Sequence, residues 1–258
     1  MTPARVIDTQ RLSTLAHEYE REILQFLRDL TAIPAGNGHE SPAIQRIRYE
    51  ADKAPFEEIR VGPMGNLLAR IGSGKHVIMM DGQADAPGAA GMAGMVYAGK
   101  LIHELGMYDD FTLWVTGSMH KDCRGLAWLH ALKEGGIHPD CVLIAEPTNL
   151  CIKMREAALE GFLSESHPLV QAAIATYETL FELPPVVGKG TASANGAGSV
   201  GLMGVPSIGF GPGEVETSPG GGERVPIRHL LQAAQFYAAF PMMFVETVRR
   251  HGGAIVRG

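Results

Sequence analysis

Three predicted strand ends in this chain carry side chains able to move protons or form covalent bonds. Asp85 follows the apolar run Val77-Ile78-Met79-Met80. Glu146 follows Cys141-Val142-Leu143-Ile144-Ala145, and Ser118, His120, Lys121 and Asp122 follow the strand beginning at Phe111. Two nearby carboxylates repel, and one tends to keep a proton. Lys121 can relieve that repulsion as a charge-balancing partner. A lysine in partly apolar surroundings can also act as an amine nucleophile that forms a Schiff base with a carbonyl. Met80, Met119 and the Ala/Gly loops offer such surroundings, and His120 and Asp122 can shuttle the protons. Asp85, His120, Asp122 and Glu146 are also donor types that suit a single zinc ion. On the amine reading Lys121, His120, Asp85 and Glu146 are the catalytic set. Gln83, Ser118, Asp122 and Asn195 bind the ligand, and no cofactor is required.

Other nucleophiles read as structural. Cys123 opens a predicted helix, where the dipole lowers a thiol pKa, but a histidine three residues away near a helix start often misses it. Cys141 sits in a buried strand, and Cys151 reads as scaffold. Ser118 lacks the Gly-x-Ser-x-Gly elbow. Gly220-Gly221-Gly222 lacks the strand–loop–helix context of a phosphate cradle. His103, His130, His138 and His229 fall outside the strand-end loops and read as surface or second-layer residues.

The elements that must position these groups follow from periodicity. Helical spacing covers 12–31, and Ser41 with Pro42 opens a second helix running to about 53. Residues 56–61 and 66–71 read as a strand pair about a glycine turn. Then come a buried strand at 77–80, a helix at 91–105, a strand at 111–116, a helix at 123–134 and a strand at 141–145. This alternation implies an α/β fold, a single three-layer domain with a mostly parallel central sheet and helices on both faces. Ligands of such sheets bind beyond the carboxyl ends of the strands. Residues 153–166 show little periodicity. A helix follows over 167–181, then a short strand near Val186-Val187, a buried strand at 206–210 and a long helix at 226–248.

The chain has 258 residues, 45% of them hydrophobic and 19% charged, with net charge -6. That suits one globular domain and excludes a nucleic-acid footprint. No apolar run is long enough to span a bilayer. No signal peptide is evident, and three cysteines without finger spacing imply a reduced, cytoplasmic setting.

Six stretches together resemble the di-zinc aminoacylase and carboxypeptidase family, which includes acetylornithine deacetylase and succinyl-diaminopimelate desuccinylase. They are Val77–Gly82, Met92–Lys100, Phe111–Gly117, Ala145–Thr148, His167–Val170 and Pro206–Gly213. The resemblance implies a zinc-exopeptidase-like fold and metal-dependent amide hydrolysis. It also implies a lid domain inserted between Glu146-Pro147-Thr148 and His167-Pro168. Fewer than twenty residues separate those two motifs here, so 153–166 reads as a short linker in place of the lid. Since the lid helps dimerisation in the family, a monomer or weak dimer is expected.

The ligand pattern departs from the family at most positions. Gln83 stands where a histidine is implied, and Pro87–Ala90 where a bridging Asp is implied. Ser118–Asp122 replaces a Glu-Glu pair, and Glu214–Val225 contains no histidine. Of the implied ligands Asp85 and Glu146 remain. Small residues crowd the same region: Gly82, Ala84, Ala86, Gly88, Ala89, Ala90, Gly190, Ala192, Ala194 and Gly196–Gly198. The expectation is a lidless, engineered scaffold with its metal site dismantled and a widened small-molecule pocket. Residual metal-dependent hydrolysis and an inert scaffold remain as alternatives.

Overall fold

The computed structural model describes residues 6–34, 41–62, 65–84, 88–108, 110–118, 136–154, 156–157, 161–190, 204–215 and 223–252. The apolar runs become the centre of an eight-stranded sheet. Strands β1 (Glu58–Val61), β2 (Leu67–Ile71), β3 (His76–Gln83), β4 (Phe111–Ser118), β5 (Cys141–Ala145), β6 (Ile152–Met154), β9 (Val187–Lys189) and β10 (Ser207–Gly209) lie in the order β1-β2-β4-β3-β5-β10-β6-β9. The four middle strands, β4, β3, β5 and β10, run parallel, which requires crossover connections. β2 and β6 flank them antiparallel, so the sheet is mixed, with its parallel part at the centre. Two small hairpins stand apart: β7 (Glu156–Ala157) with β8 (Gly161–Phe162), and β11 (Glu214–Val215) with β12 (Glu223–Arg224).

Six helices are described: α1 (Thr9–Glu18), α2 (Glu20–Ala32), α3 (Pro42–Lys53), α4 (Ala89–Glu104), α5 (Pro168–Phe181) and α6 (Ile227–Arg250). All six send side chains into one large apolar cluster on one sheet face. The other face carries its own buried cluster of Leu68, Met79, Trp114, Ile137, Val142 and Ile144. Residues 123–134, where the sequence places a helix, lie outside the described residues.

Local sequence explains most boundaries. Pro42 and Pro168 occupy first-turn positions, where no amide hydrogen is needed. The His167 ring caps α5 by accepting from the Leu169 N–H at 3.1 Å. Two expectations change. The helix expected over 12–31 breaks at Tyr19, whose hydroxyl donates to Glu104 and whose ring lies 3.8 Å from the Lys100 ammonium. Ser41 precedes α3 as expected but makes no side-chain cap; its buried hydroxyl has no partner among the described residues.

The core is densest where α6 crosses the sheet. Phe236, Phe240 and Phe244 repeat at i, i+4 along its buried face, and Phe210 from the end of β10 stacks on Phe236 at 3.8 Å. The Tyr237 hydroxyl donates to the Phe210 carbonyl at 2.8 Å. Removing this payload leaves a cavity that the closely packed helices cannot collapse. Phe236→Ala is therefore expected to cost about 3–5 kcal/mol, read as a lower urea midpoint with an unchanged slope.

Candidate active site at the carboxyl ends of the central strands

Register sets the frame of the site. Gln83, the last residue of β3, pairs with Ser118, the last of β4. On the other side Gly82 pairs with Ala145, so Glu146 is the next residue along β5 beside Gln83. Three sequence-predicted site residues thus stand in one row across the strand ends. Asp85, His120, Lys121, Asp122 and Asn195 lie outside the described residues. Among the described residues no three His, Cys, Asp or Glu side chains gather as a metal-binding group.

Glu146 is half-buried, and the turn that follows it is clamped to residues 211–213. The Thr148 hydroxyl accepts from the Gly211 N–H at 3.0 Å and lies 3.4 Å from the Gly211 carbonyl. Asn149 N–H donates to Gly213 O at 2.7 Å, and Leu150 N–H to Gly211 O at 3.0 Å. The turn places Asn149 and Leu150 in the left-handed region, at φ 55° and 60°. For leucine that conformation is uncommon and costs strain, which the clamp holds in place. Gly211 is obligatory for a second reason: a Cβ there would lie 2.4 Å from the Glu146 carbonyl oxygen.

Among the described residues, the small side chains at 82, 84 and 88–90 face space already filled by protein. A Cβ on Gly82 would meet the Met95 methyl at 2.4 Å, and one on Gly88 the Gln83 Cβ at 2.5 Å. Ala84, Ala89 and Ala90 are completely buried in the main cluster. They let α4 seat closely on the strand ends, so the space their size frees is already filled by protein. Ala86, Ala192, Ala194 and Gly196–Gly198 lie outside the described residues. A surface cleft of about 720 Å³ lies on α1 and α2, between Glu18, Arg21, Glu22 and Arg28.

One half-buried acid was not among the site residues expected from the sequence. Strand alternation puts Asp81 on the sheet face of Met79, one pleat below Gln83, between Thr116 of β4 and Ile144 of β5. Its carboxylate accepts from the Thr116 hydroxyl at 2.5 Å. Burial pushes its pKa up to about 6, against the smaller downward pull of that hydrogen bond. The signal available in the sequence was a charged residue ending the apolar run 77–80. His229 lies outside the strand-end loops. It is buried in the first turn of α6, with Nδ1 unpartnered among the described residues, and burial lowers its pKa.

Solved structures that share this architecture include several peptidases. The Bacillus subtilis YXEP protein, described as a dinuclear metal binding peptidase from the M20 family, matches with TM-score 0.70 and 10% identity, over 90% of this chain and 99% of that one. Human carnosine dipeptidase 1 matches with TM-score 0.69 and 8% identity, over 95% and 100%. The aminopeptidase PepT of Bacillus cereus matches with TM-score 0.69 and 11% identity, over 87% and 98%. These likenesses establish the fold. In sequence, the chain is 25% identical to the uncharacterized protein YgeY of Escherichia coli K12, over 90% of this chain and 96% of that protein. That alignment runs over 389 positions, more than the 258 residues of this chain, so it spans long gaps opposite segments of YgeY. No family model matches the chain.

Two outcomes follow from the geometry. Gly211→Ala is expected to destabilise by about 1–3 kcal/mol, because backbone rather than a yielding side chain meets the new methyl; urea unfolding measures it. Asp81 holds its proton more tightly folded than unfolded. Its contribution to stability is therefore largest below about pH 4 and declines as pH rises to about 6, by up to about 3 kcal/mol. Asp81→Asn is expected to remove that decline, seen in the difference between wild-type and variant unfolding midpoints across the window.

Proposed function

We propose that this chain is a lidless, remodelled form of the metallopeptidase scaffold. Two-metal hydrolysis has given way to a small-molecule site at the strand ends, with the Lys121 amine as its reactive group. The observation that carries this reading is Gln83 at the end of β3, in register with Ser118 and beside Glu146. A two-metal centre needs several carboxylate or imidazole donors around cations roughly 3.5–4 Å apart. An amide and a serine flanking one carboxylate do not fit that demand. The excess length of the YgeY alignment supports the missing lid.

Lys121 follows the last residue of β4, Ser118, by three residues in sequence. As a free amine it adds to a substrate carbonyl, giving a carbinolamine. Loss of water, with a proton delivered to the departing hydroxyl, then gives the imine. His120 and Asp122 are the proton carriers, and Glu146 balances the resulting cation. A second reading, residual metal-dependent amide hydrolysis, draws support from the clamp on the turn that follows Glu146.

Trapping decides the amine chemistry. Limiting benzaldehyde with cyanoborohydride at neutral pH is expected to label Lys121 ahead of the other lysines, and Lys121→Ala is expected to lose that label by peptide mass analysis. No preference for Lys121 removes the amine reading. Metal analysis of protein purified without chelator decides the remainder. Fewer than two zinc ions per chain, and no dipeptide hydrolysis on adding zinc, are expected. Two tightly held ions would restore the hydrolase reading.

A further inference from the structure

The end of the sheet opposite the candidate site holds a buried histidine with an unusual set of neighbours. His76 opens β3 and is 6% exposed. Its Nδ1 lies 3.8 Å from Asp140 Oδ2, beyond hydrogen-bond reach. That oxygen already accepts the Val77 N–H at 3.0 Å, while the Asp140 N–H donates to the Val77 carbonyl at 2.7 Å. The other ring nitrogen, Nε2, is buried with no partner among the described residues. Lys75 precedes it in the chain. Arg249, from the last turn of α6, binds Asp110, just before β4, at 2.7 Å. Four structural units therefore converge on one imidazole: the starts of β3, β4 and β5 and the end of α6.

We infer that His76 is an acid-sensitive latch, and that a proton taken up by this imidazole loosens the base of the sheet where β3, β4 and β5 begin and α6 ends. A neutral imidazole tolerates this setting as a mostly apolar ring. An imidazolium carries two N–H donors that both need acceptors. Here Nε2 has none, and Nδ1 has one carboxylate too distant to accept. Of the charged groups facing it, Lys75 and Arg249 repel the cation. Asp140 and Asp110 attract it, but each is already engaged, by Val77 N–H and by Arg249. Burial, first, and then Lys75 outweigh the two carboxylates and hold the His76 pKa below its ordinary value. The sign follows. A group whose pKa is lower folded than unfolded stabilises fully above the unfolded value, and that contribution is lost as pH falls below about 6.5. This inference is independent of the function proposed for the strand-end site.

Two measurements test it on the full chain. Imidazole NMR is expected to show His76 protonating below the ordinary histidine range. In Lys75→Gln, which alters an exposed side chain, that midpoint is expected to move up. Urea unfolding is then compared at neutral pH and near pH 5 for wild type and His76→Gln. The wild-type midpoint is expected to fall further on acidification than the variant's. Asp81 acts in the opposite direction but is present in both proteins, so it cancels in the comparison. Parallel shifts in the two proteins overturn the latch. So does a His76 that titrates at or above the ordinary value and ignores Lys75; that result decides alone if His76→Gln fails to fold.

Discussion

The close seating of α4 against the carboxyl ends of β3 and β5 is the constraint on which the rest of this molecule depends. Gly91 brings the α4 backbone close to β5, where an added Cβ would lie 2.8 Å from the Ala145 carbonyl oxygen, and the Met95 and Met92 methyls fill the space over Gly82 and Gly117. A one-residue slip of β3 or β4 would replace those glycines with side chains facing the two methionines, so the seating of α4 favours the observed register. The row Gln83, Ser118, Glu146 is a product of that register. Aromatic stacking between α6 and β10 locks the same arrangement from the far side of α4.

Two titratable groups sit near the two ends of β3. At the carboxyl end Asp81 leans on one hydroxyl beneath the site row; at the amino end His76 lacks an acceptor for Nε2 among the described residues. The two groups bias stability in opposite senses across mildly acidic pH. Glu50 forms a contrast. It too is buried, yet Tyr97 and Arg46 both donate to it, and its charge is correspondingly well accommodated.

The fold could be read from the sequence where its signal was local and repeated. Apolar runs such as 141–145 can only be buried strands, and the i, i+4 phenylalanines of 227–250 can only be one face of a packed helix. Capping was harder to read: Ser41 has the right type and place, but its hydroxyl turned inward, while His167 took a role usually filled by smaller side chains. The site was legible as a row of strand ends, because the ends of parallel strands converge by geometry. Its finer structure was not. Asp81 becomes notable only once Thr116 and Ile144 are known to flank it. The small residues looked like empty space because a sequence records side-chain volume and not what fills the volume removed. The antiparallel placement of β6 was hidden as well. It depends on the paired left-handed turn at Asn149 and Leu150, and leucine gives no warning of such a backbone.

That reversal has an architectural consequence. After β5 the chain doubles back and travels to one margin of the sheet, and it returns to the centre as β10 only after β9. It leaves at Met154, makes the hairpin of β7 and β8, and rejoins through α5, which packs on β6 before β9 lines up beside it. Departure and return are neighbours on a peripheral strand pair. An excursion of almost any size can be grafted or excised there while the middle strands keep their partners. The scaffold has a built-in port, where evolution or a protein engineer can exchange whole modules with little disturbance to its foundations.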